Sequence, residues 1–271
     1  MKKKVFLFGL LFSLLLLCGC GVNLTSTVKL NKGFSGTRVM SCTFSSRDFH
    51  SYFKGSKEDL NKLIKESCPD ALTYTSSSSD GNDAYTFYLR FSSLDDYKKK
   101  VRDLLNFSPE ITYEYGDSPF VSGLIYKENF TSKDLMTWLY TALYEGKYID
   151  KDSSSDLWDL KSTKISFLGK TYETKDKINI DEMAYVPLSS IHIDTKTKKS
   201  GKLARVIEFD LPQQTLDQNA GKIRSYFAGN DITWENTSDG KTLCISFDAN
   251  NFSDLAQKTR TVLHSKNSFG T

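Results

Sequence analysis

Polar and apolar residues alternate along most of this chain, and helical spacing interrupts the alternation at regular places. From Thr27, "TVKL" alternates as a strand does, "NKGFSG" supplies a turn, and "TRVMSCTF" puts Met40, Cys42 and Phe44 on one face. A helical run follows. Ser45 and Asp48 have capping-box spacing, Gly55-Ser56 interrupts the run, Ser56 and Asp59 offer a second cap, and Pro69 ends it. "ALTYT" and "AYTFYLRF" read as strands around "SSSSDGND". "SSLDDYKKKVRDLL" is a helix with Leu94, Tyr97, Val101, Leu104 and Leu105 on one side. The order over residues 27–105 is β-β-α-β-β-α.

Residues 189–264 repeat that order. "SIHIDTK" and "KLARVIEFDL" flank the turn "TKKSG", and "QQTLDQNAGKIRSYF" is helical. "DITWEN" and "GKTLCISF" precede a last helix, "NNFSDLAQKTRTVLH". Ser35-Gly36 with Arg38-Val39 matches Ser200-Gly201 with Arg205-Val206, and Ile232-Thr233-Trp234 matches Leu72-Thr73-Tyr74. Leu243, Ile245 and Phe247 match Phe87, Leu89 and Phe91, and the cap Asn251/Asp254 matches Ser93/Asp96. This points to an internal duplication. Residues 106–188 begin in the same way, with a strand, a Ser122-Gly123 turn, a strand, the cap Thr131/Asp134 and a helix. A solvated "KDSSSD" loop and a hairpin at Gly169 follow, so the middle reads as a β-rich partial repeat with an inserted hairpin. Alternating strands with helices over one face predict an α+β fold of mainly antiparallel sheets, in duplicated units.

The first residues follow another pattern. Met1-Lys2-Lys3-Lys4 leads into an apolar stretch from Val5 to Leu17. That stretch is shorter than the roughly 20 apolar residues a membrane-spanning helix needs, and has the form of a secretory signal. At its end, Leu17-Cys18-Gly19-Cys20 resembles the lipobox of bacterial lipoproteins, with a small residue just before the modified cysteine. The resemblance implies cleavage between Gly19 and Cys20, diacylglycerol on the Cys20 sulfur, and an anchor at the outer face of the cytoplasmic membrane. Cys18 is then apolar filler. The organisation expected is a signal peptide over 1–19, an anchor and tether over 20–26, the first unit over 27–105, the middle over 106–188, the second unit over 189–264 and a tail over 265–271.

The formal charge is +3, and loss of Lys2, Lys3 and Lys4 leaves the remainder formally neutral. The basic balance therefore argues for no nucleic-acid partner. The basic runs "DYKKKVRD" and "TKTKKSGK" read as a solvated helix face and a hairpin turn, with lipid headgroups or anionic glycans as their candidate partners.

Candidate chemistry is sparse. His50, His192 and His264 have no second histidine nearby, and no HExxH, CxxC, GxSxG or phosphate-binding glycine motif occurs. Neither a metal nor a cofactor is expected. Asp95-Asp96 suits a helix start, and Asp181-Glu182 a loop. Cys42, Cys68 and Cys244 read mainly as free thiols, although an exported compartment permits a disulfide. A hydrolase reading can use Cys244 with His192, or a cleft that gathers carboxylates, although the sequence singles out no carboxylate pair.

The first unit, from "TVKL" and "FSG" through "TFYLRF" and "SSLDDY", resembles the LppM-type domain of Gram-positive lipoproteins, and Ile191 to His264 resembles it more faintly. That resemblance implies an exported, lipid-tethered domain that contacts lipids, glycolipids or envelope partners, and it supplies no catalytic residues. The expected function is a non-enzymatic binding or structural module of the envelope, with an envelope protein, glycan or lipid as its partner. A lipid or glycolipid carrier and an envelope hydrolase are the alternatives.

Overall fold

The computed structural model describes residues 22–45, 53–79, 82–105, 107–150 and 157–264. Cys18, Gly19, Cys20, Asp48 and His50 lie outside the described residues. The fold is α+β with mostly antiparallel sheets. The chain divides into two compact units, one of residues up to 114 with 125–181, the other of 115–124 with the chain from 182 onward.

Unit 1 is built on a six-stranded sheet of order β3-β4-β2-β1-β7-β8. Its strands are β1 (Val22–Leu30), β2 (Gly36–Ser45), β3 (Thr73–Ser79), β4 (Asn82–Phe91), β7 (Trp158–Phe167) and β8 (Lys170–Thr174). β1 begins at Val22, so the residues expected to form a tether already alternate inward and outward. β7 pairs with β1 in parallel, Val22 beside Trp158 and Leu30 beside Phe167, and the other pairs in this sheet are antiparallel.

Helices α1 (Lys57–Ser67), α2 (Leu94–Leu105) and α3 (Thr137–Glu145) belong to this unit. α1 starts with the full Ser56/Asp59 capping box and stops before Pro69, as its spacing predicts. Its Leu60 and Ile64, Tyr97, Val101 and Leu104 of α2, and Leu139 and Leu143 of α3 are buried. So are the inward rows of the sheet, Met40, Cys42 and Phe44 with Tyr85, Phe87, Leu89 and Phe91. Cys42 is a small core residue, and burial pushes its thiol far up.

β5 (Ile111–Asp117) and β6 (Val121–Glu128) form a hairpin. It turns at Ser118, whose hydroxyl takes the amide protons of Phe120 and Val121, and not at Ser122-Gly123. Gly123 lies inside β6 at φ 118°. In unit 1, β6 pairs with β9 (Asn179–Asp181), and in unit 2 with β10 (Ala184–Tyr185). The middle segment is therefore divided between the two units and is not a body of its own.

Unit 2 holds a four-stranded antiparallel sheet of order β11-β12-β14-β13, from β11 (Ser190–Thr197), β12 (Leu203–Pro212), β13 (Ile232–Asn236) and β14 (Gly240–Ala249). Helices α4 (Gln213–Tyr226) and α5 (Phe252–Val262) complete it. Ile207, Phe209, Leu211, Leu216, Ile223, Phe227, Leu243, Ile245 and Val262 form its core. Phe120, at the hairpin tip, stacks on Phe209 with ring centroids 5.8 Å apart.

The order β3-β4-β2-β1 in unit 1 and β13-β14-β12-β11 in unit 2 is the same order with the same connections. Arg38 lies opposite Leu89 and Val28, and Arg205 opposite Phe247 and Thr195. Phe247 thus answers to Leu89 and Ile245 to Phe87. The sequence match of these strands is displaced by two residues, which keeps every side chain on its proper face.

Candidate functional site

The strand pleat that buries one row of each strand in unit 1 turns the other row outward. Register then joins these outward rows across the sheet. Thr75 of β3 faces Thr86 of β4, Thr86 faces Ser41 of β2, Ser41 faces Thr25 of β1, and Thr25 faces Ser162 of β7. The result is an unbroken row of hydroxyls across five neighbouring strands. The Ser41 and Thr86 hydroxyls are 3.0 Å apart and bonded to each other.

The next row runs Thr73, Tyr88, Val39, Thr27 and Lys164, and the one beyond it Arg90, Thr37, Lys29 and Ser166. The Arg90 guanidinium lies 5.8 Å from the Tyr88 ring centroid. Neighbouring strands lie about 4.8 Å apart across the sheet, and successive outward side chains along a strand about 6.8 Å apart. Each hydroxyl can donate one hydrogen bond and accept others, so the face presents donors and acceptors side by side.

A buried ionic cluster braces the opposite side of this sheet. Arg38 of β2 and Glu128 of β6 pair at 2.7 Å with side chains 1% and 0% exposed. Tyr97 of α2 donates to the other Glu128 oxygen at 2.7 Å, and Tyr126 donates to the same atom. Burial pushes both phenols well up and keeps them as neutral donors. Burial alone would lower Arg38, but the Glu128 carboxylate together with the Tyr97 and Tyr126 hydroxyls outweighs it and holds the guanidinium charged. The guanidinium also lies over the rings of Tyr97 and Phe130, at 5.9 and 5.6 Å. Arg205, at the matching place in unit 2, meets hydroxyls instead, bonding Thr195 at 3.0 Å and Thr259 at 2.8 Å. The alternation that turns Met40, Cys42 and Phe44 inward also reaches Arg38, and that of β6 reaches Glu128, but long charged side chains read as surface.

Between α1, α2 and α3 lies a groove of about 460 Å³, lined by Leu63, Leu104, Leu105, Trp138 and Ala142 among others. The Trp138 indole N–H is buried without a partner, and its ring meets Phe87 edge-on with centroids 5.4 Å apart.

The hydrolase pair is not assembled. His192, Glu208, Cys244 and Thr233 form one cross-strand row in unit 2, with Glu208 between the other two. Two strand spacings separate His192 from Cys244 by about 10 Å. Burial, then the Glu235 and Glu208 carboxylates, hold the Cys244 thiol up, against what a nucleophile needs. His192 instead stands 3.9 Å from Asp210, whose carboxylate Ser190 and Thr242 hold below its ordinary range by hydrogen bonding.

Cys42, Cys68 and Cys244 are free. Asp96 caps α2, and Asp181 sits on β9 paired with Lys127 at 2.6 Å. His264 bonds the Tyr226 carbonyl at 2.8 Å. In the run "DYKKKVRD", Lys100 binds Asp96 and the Arg90 carbonyl, and "TKTKKSGK" closes the β11–β12 hairpin, where Gly201 has φ 77°. Among the described residues, no three His, Cys, Asp or Glu side chains gather as a metal site. No helix there is long and apolar enough to cross a membrane.

No protein-family model matches the chain, and no curated protein matches it.

Proposed function

We propose that this protein is a lipid-anchored, extracytoplasmic binding module. It is held to the membrane through acyl chains on Cys20, and the open sheet face of unit 1 takes up an envelope glycan. The hydroxyl row Thr75–Thr86–Ser41–Thr25–Ser162, flanked by Tyr88, Arg90 and Lys29, carries this reading. Hydroxyls on a flat sheet match a polyol's donors and acceptors, an aromatic ring offers a stacking surface, and cations suit an anionic polymer. An anchor at Cys20 leaves a single residue before β1 starts at Val22. At no more than about 3.6 Å per residue, unit 1 would sit against the headgroups. On this reading the two β-β-α-β-β-α sets are copies, and the chemistry is non-enzymatic.

The test uses full-length protein. Cys20→Ser moves it from the membrane to the soluble fraction and abolishes acyl labelling, while Cys18→Ser changes neither. Tyr88→Ala with Arg90→Ala lowers co-sedimentation with purified envelope glycan at least fivefold. Equal sedimentation of the double variant and the parent refutes the binding face. Membrane retention and labelling of the Cys20→Ser protein refute the anchor.

The second reading, a carrier of lipid or glycolipid, is favoured by the groove at Trp138. Lipid that copurifies with the parent and is lost with Ala142→Trp, which fills the groove, would establish it.

A further inference from the structure

β11 is the outermost strand of the unit 2 sheet, and β12 is its one strand partner among the described residues. Ile191 and Ile193 of β11 lie in register with Phe209 and Ile207, on the side of the sheet that carries the core. Yet they are 50% and 52% exposed. In unit 1 the strand at the same topological position, β1, is not an edge. There β7 is added beside it, and Val22, Leu24, Val28 and Leu30 are buried. β11 therefore keeps an open ladder and a half-covered apolar row where β1 has a neighbour, and such edges pair with other strands unless they are guarded.

We propose that the occupant of this edge is β11 of a second copy, paired antiparallel about a two-fold axis that passes through Ile193. A two-fold axis perpendicular to the sheet makes the two strands antiparallel and keeps the core faces on one side. Residues facing each other must then lie on the same face, so the axis passes through a residue and not between two. An axis at Asp194 sets two carboxylates directly opposite each other, which is unfavourable. An axis at Thr195 brings Ile191 against Lys199 and pairs only Ile193–Thr197 of the strand. An axis at His192 opposes two histidines and pairs only Ser190–Asp194.

The axis at Ile193 pairs nearly the whole strand. Ile193 meets Ile193 of the second copy, Ile191 meets Thr195, and Ser190 meets Lys196. His192 meets Asp194 twice, a nitrogen donor or cation against a carboxylate. Lysines commonly guard sheet edges. In this register Lys196 faces a serine, and Lys198 is already paired with Asp248 at 2.6 Å. The joined sheet has eight strands, and the apolar row of Ile207 and Ile193 continues directly into the same row of the second copy.

Cysteine cross-linking of the full-length protein, in membranes and in detergent, tests the register. Cys68→Ser removes the partly exposed thiol, and Ile193→Cys, His192→Cys and Thr195→Cys are each placed in that background. Mild oxidation should yield an adduct of two copies at least tenfold more abundant with Ile193→Cys than with the other two. Ile193→Lys, at an exposed position that leaves the fold intact, should convert dimer to monomer in sedimentation at tens of micromolar. A monomeric parent, a preference for position 192 or 195, equal adducts at all three, or an adduct with a different protein overturns the proposal.

Discussion

Replacing Glu128 by leucine strips the core of unit 1 of one acceptor that serves three donors. Arg38, 1% exposed, loses its ion-pair partner, and the Tyr97 and Tyr126 hydroxyls lose the oxygen they share. Breaking a buried pair from one side costs about 3–5 kcal/mol. Each buried hydroxyl left without an acceptor adds about 1–3 kcal/mol. A domain is stable by only about 5–15 kcal/mol, so Glu128→Leu should bring unit 1 close to unfolding.

Arg38→Met removes the other half and should cost less. The carboxylate keeps both phenol donors, whereas Glu128→Leu leaves the buried guanidinium without its anion. The double variant should be more stable than Glu128→Leu alone, since it leaves no unpaired charge. The assay is urea unfolding by tryptophan fluorescence in a Trp234→Phe background, which leaves Trp138 and Trp158 of unit 1 as the reporters. A loss below about 1 kcal/mol for Glu128→Leu, or a larger loss for Arg38→Met, would refute the reasoning.

Other outcomes follow from single features. Asp59, Asp96 and Asp254 all accept hydrogen bonds from backbone N–H groups at helix starts, which holds each below its ordinary carboxylate range. A folded-state pKa below the unfolded value of about 3.9 adds stability above that value and loses it as pH falls through the folded pKa. Thermal stability should therefore hold from neutral pH to about 5 and fall below about 4, with a shallower fall in Asp96→Asn. Gly123→Ala should destabilise unit 2 by roughly 1–3 kcal/mol or more in urea unfolding, because φ is 118° and a Cβ there would stand 2.0 Å from the Glu182 carbonyl oxygen. Cys244→Ser and His192→Ala should fold and complement a deletion strain at matched protein levels. A stable but null variant would revive the hydrolase reading.

Local patterns carried the elements, and pairing carried the rest. The Ser56/Asp59 and Asn251/Asp254 caps and the hairpin at Gly169 were legible because their donors, acceptors and turn residues lie a few positions apart. The start of β1 reads as tether, although Val22, Leu24 and Ser26 alternate with Asn23 and Thr25, because the polar residues between them give the stretch the look of a linker. Gly123 drew the hairpin turn to itself, although Ser118 and Pro119 make it, because a positive-φ glycine also fits inside a distorted strand. Periodicity identifies a strand without naming its neighbours, so the parallel β1–β7 pair could not be read from it. The hydroxyl row was hidden for the same reason, since Thr75, Thr86, Ser41, Thr25 and Ser162 become adjacent only through register.

The parallel pair of β1 and β7 also sets an order of events during synthesis. The first strand of the fold waits for one of the later strands of its own unit, and that closure is entropically slow. Until Phe167 has emerged, the outer ladder of β1 is bare, with Val22, Leu24, Val28 and Leu30 beside it. A nascent or truncated chain ending anywhere in that interval carries an unpaired apolar edge along Val22–Leu30. Its fate is then a contest between the arrival of β7 and pairing with another unfinished chain.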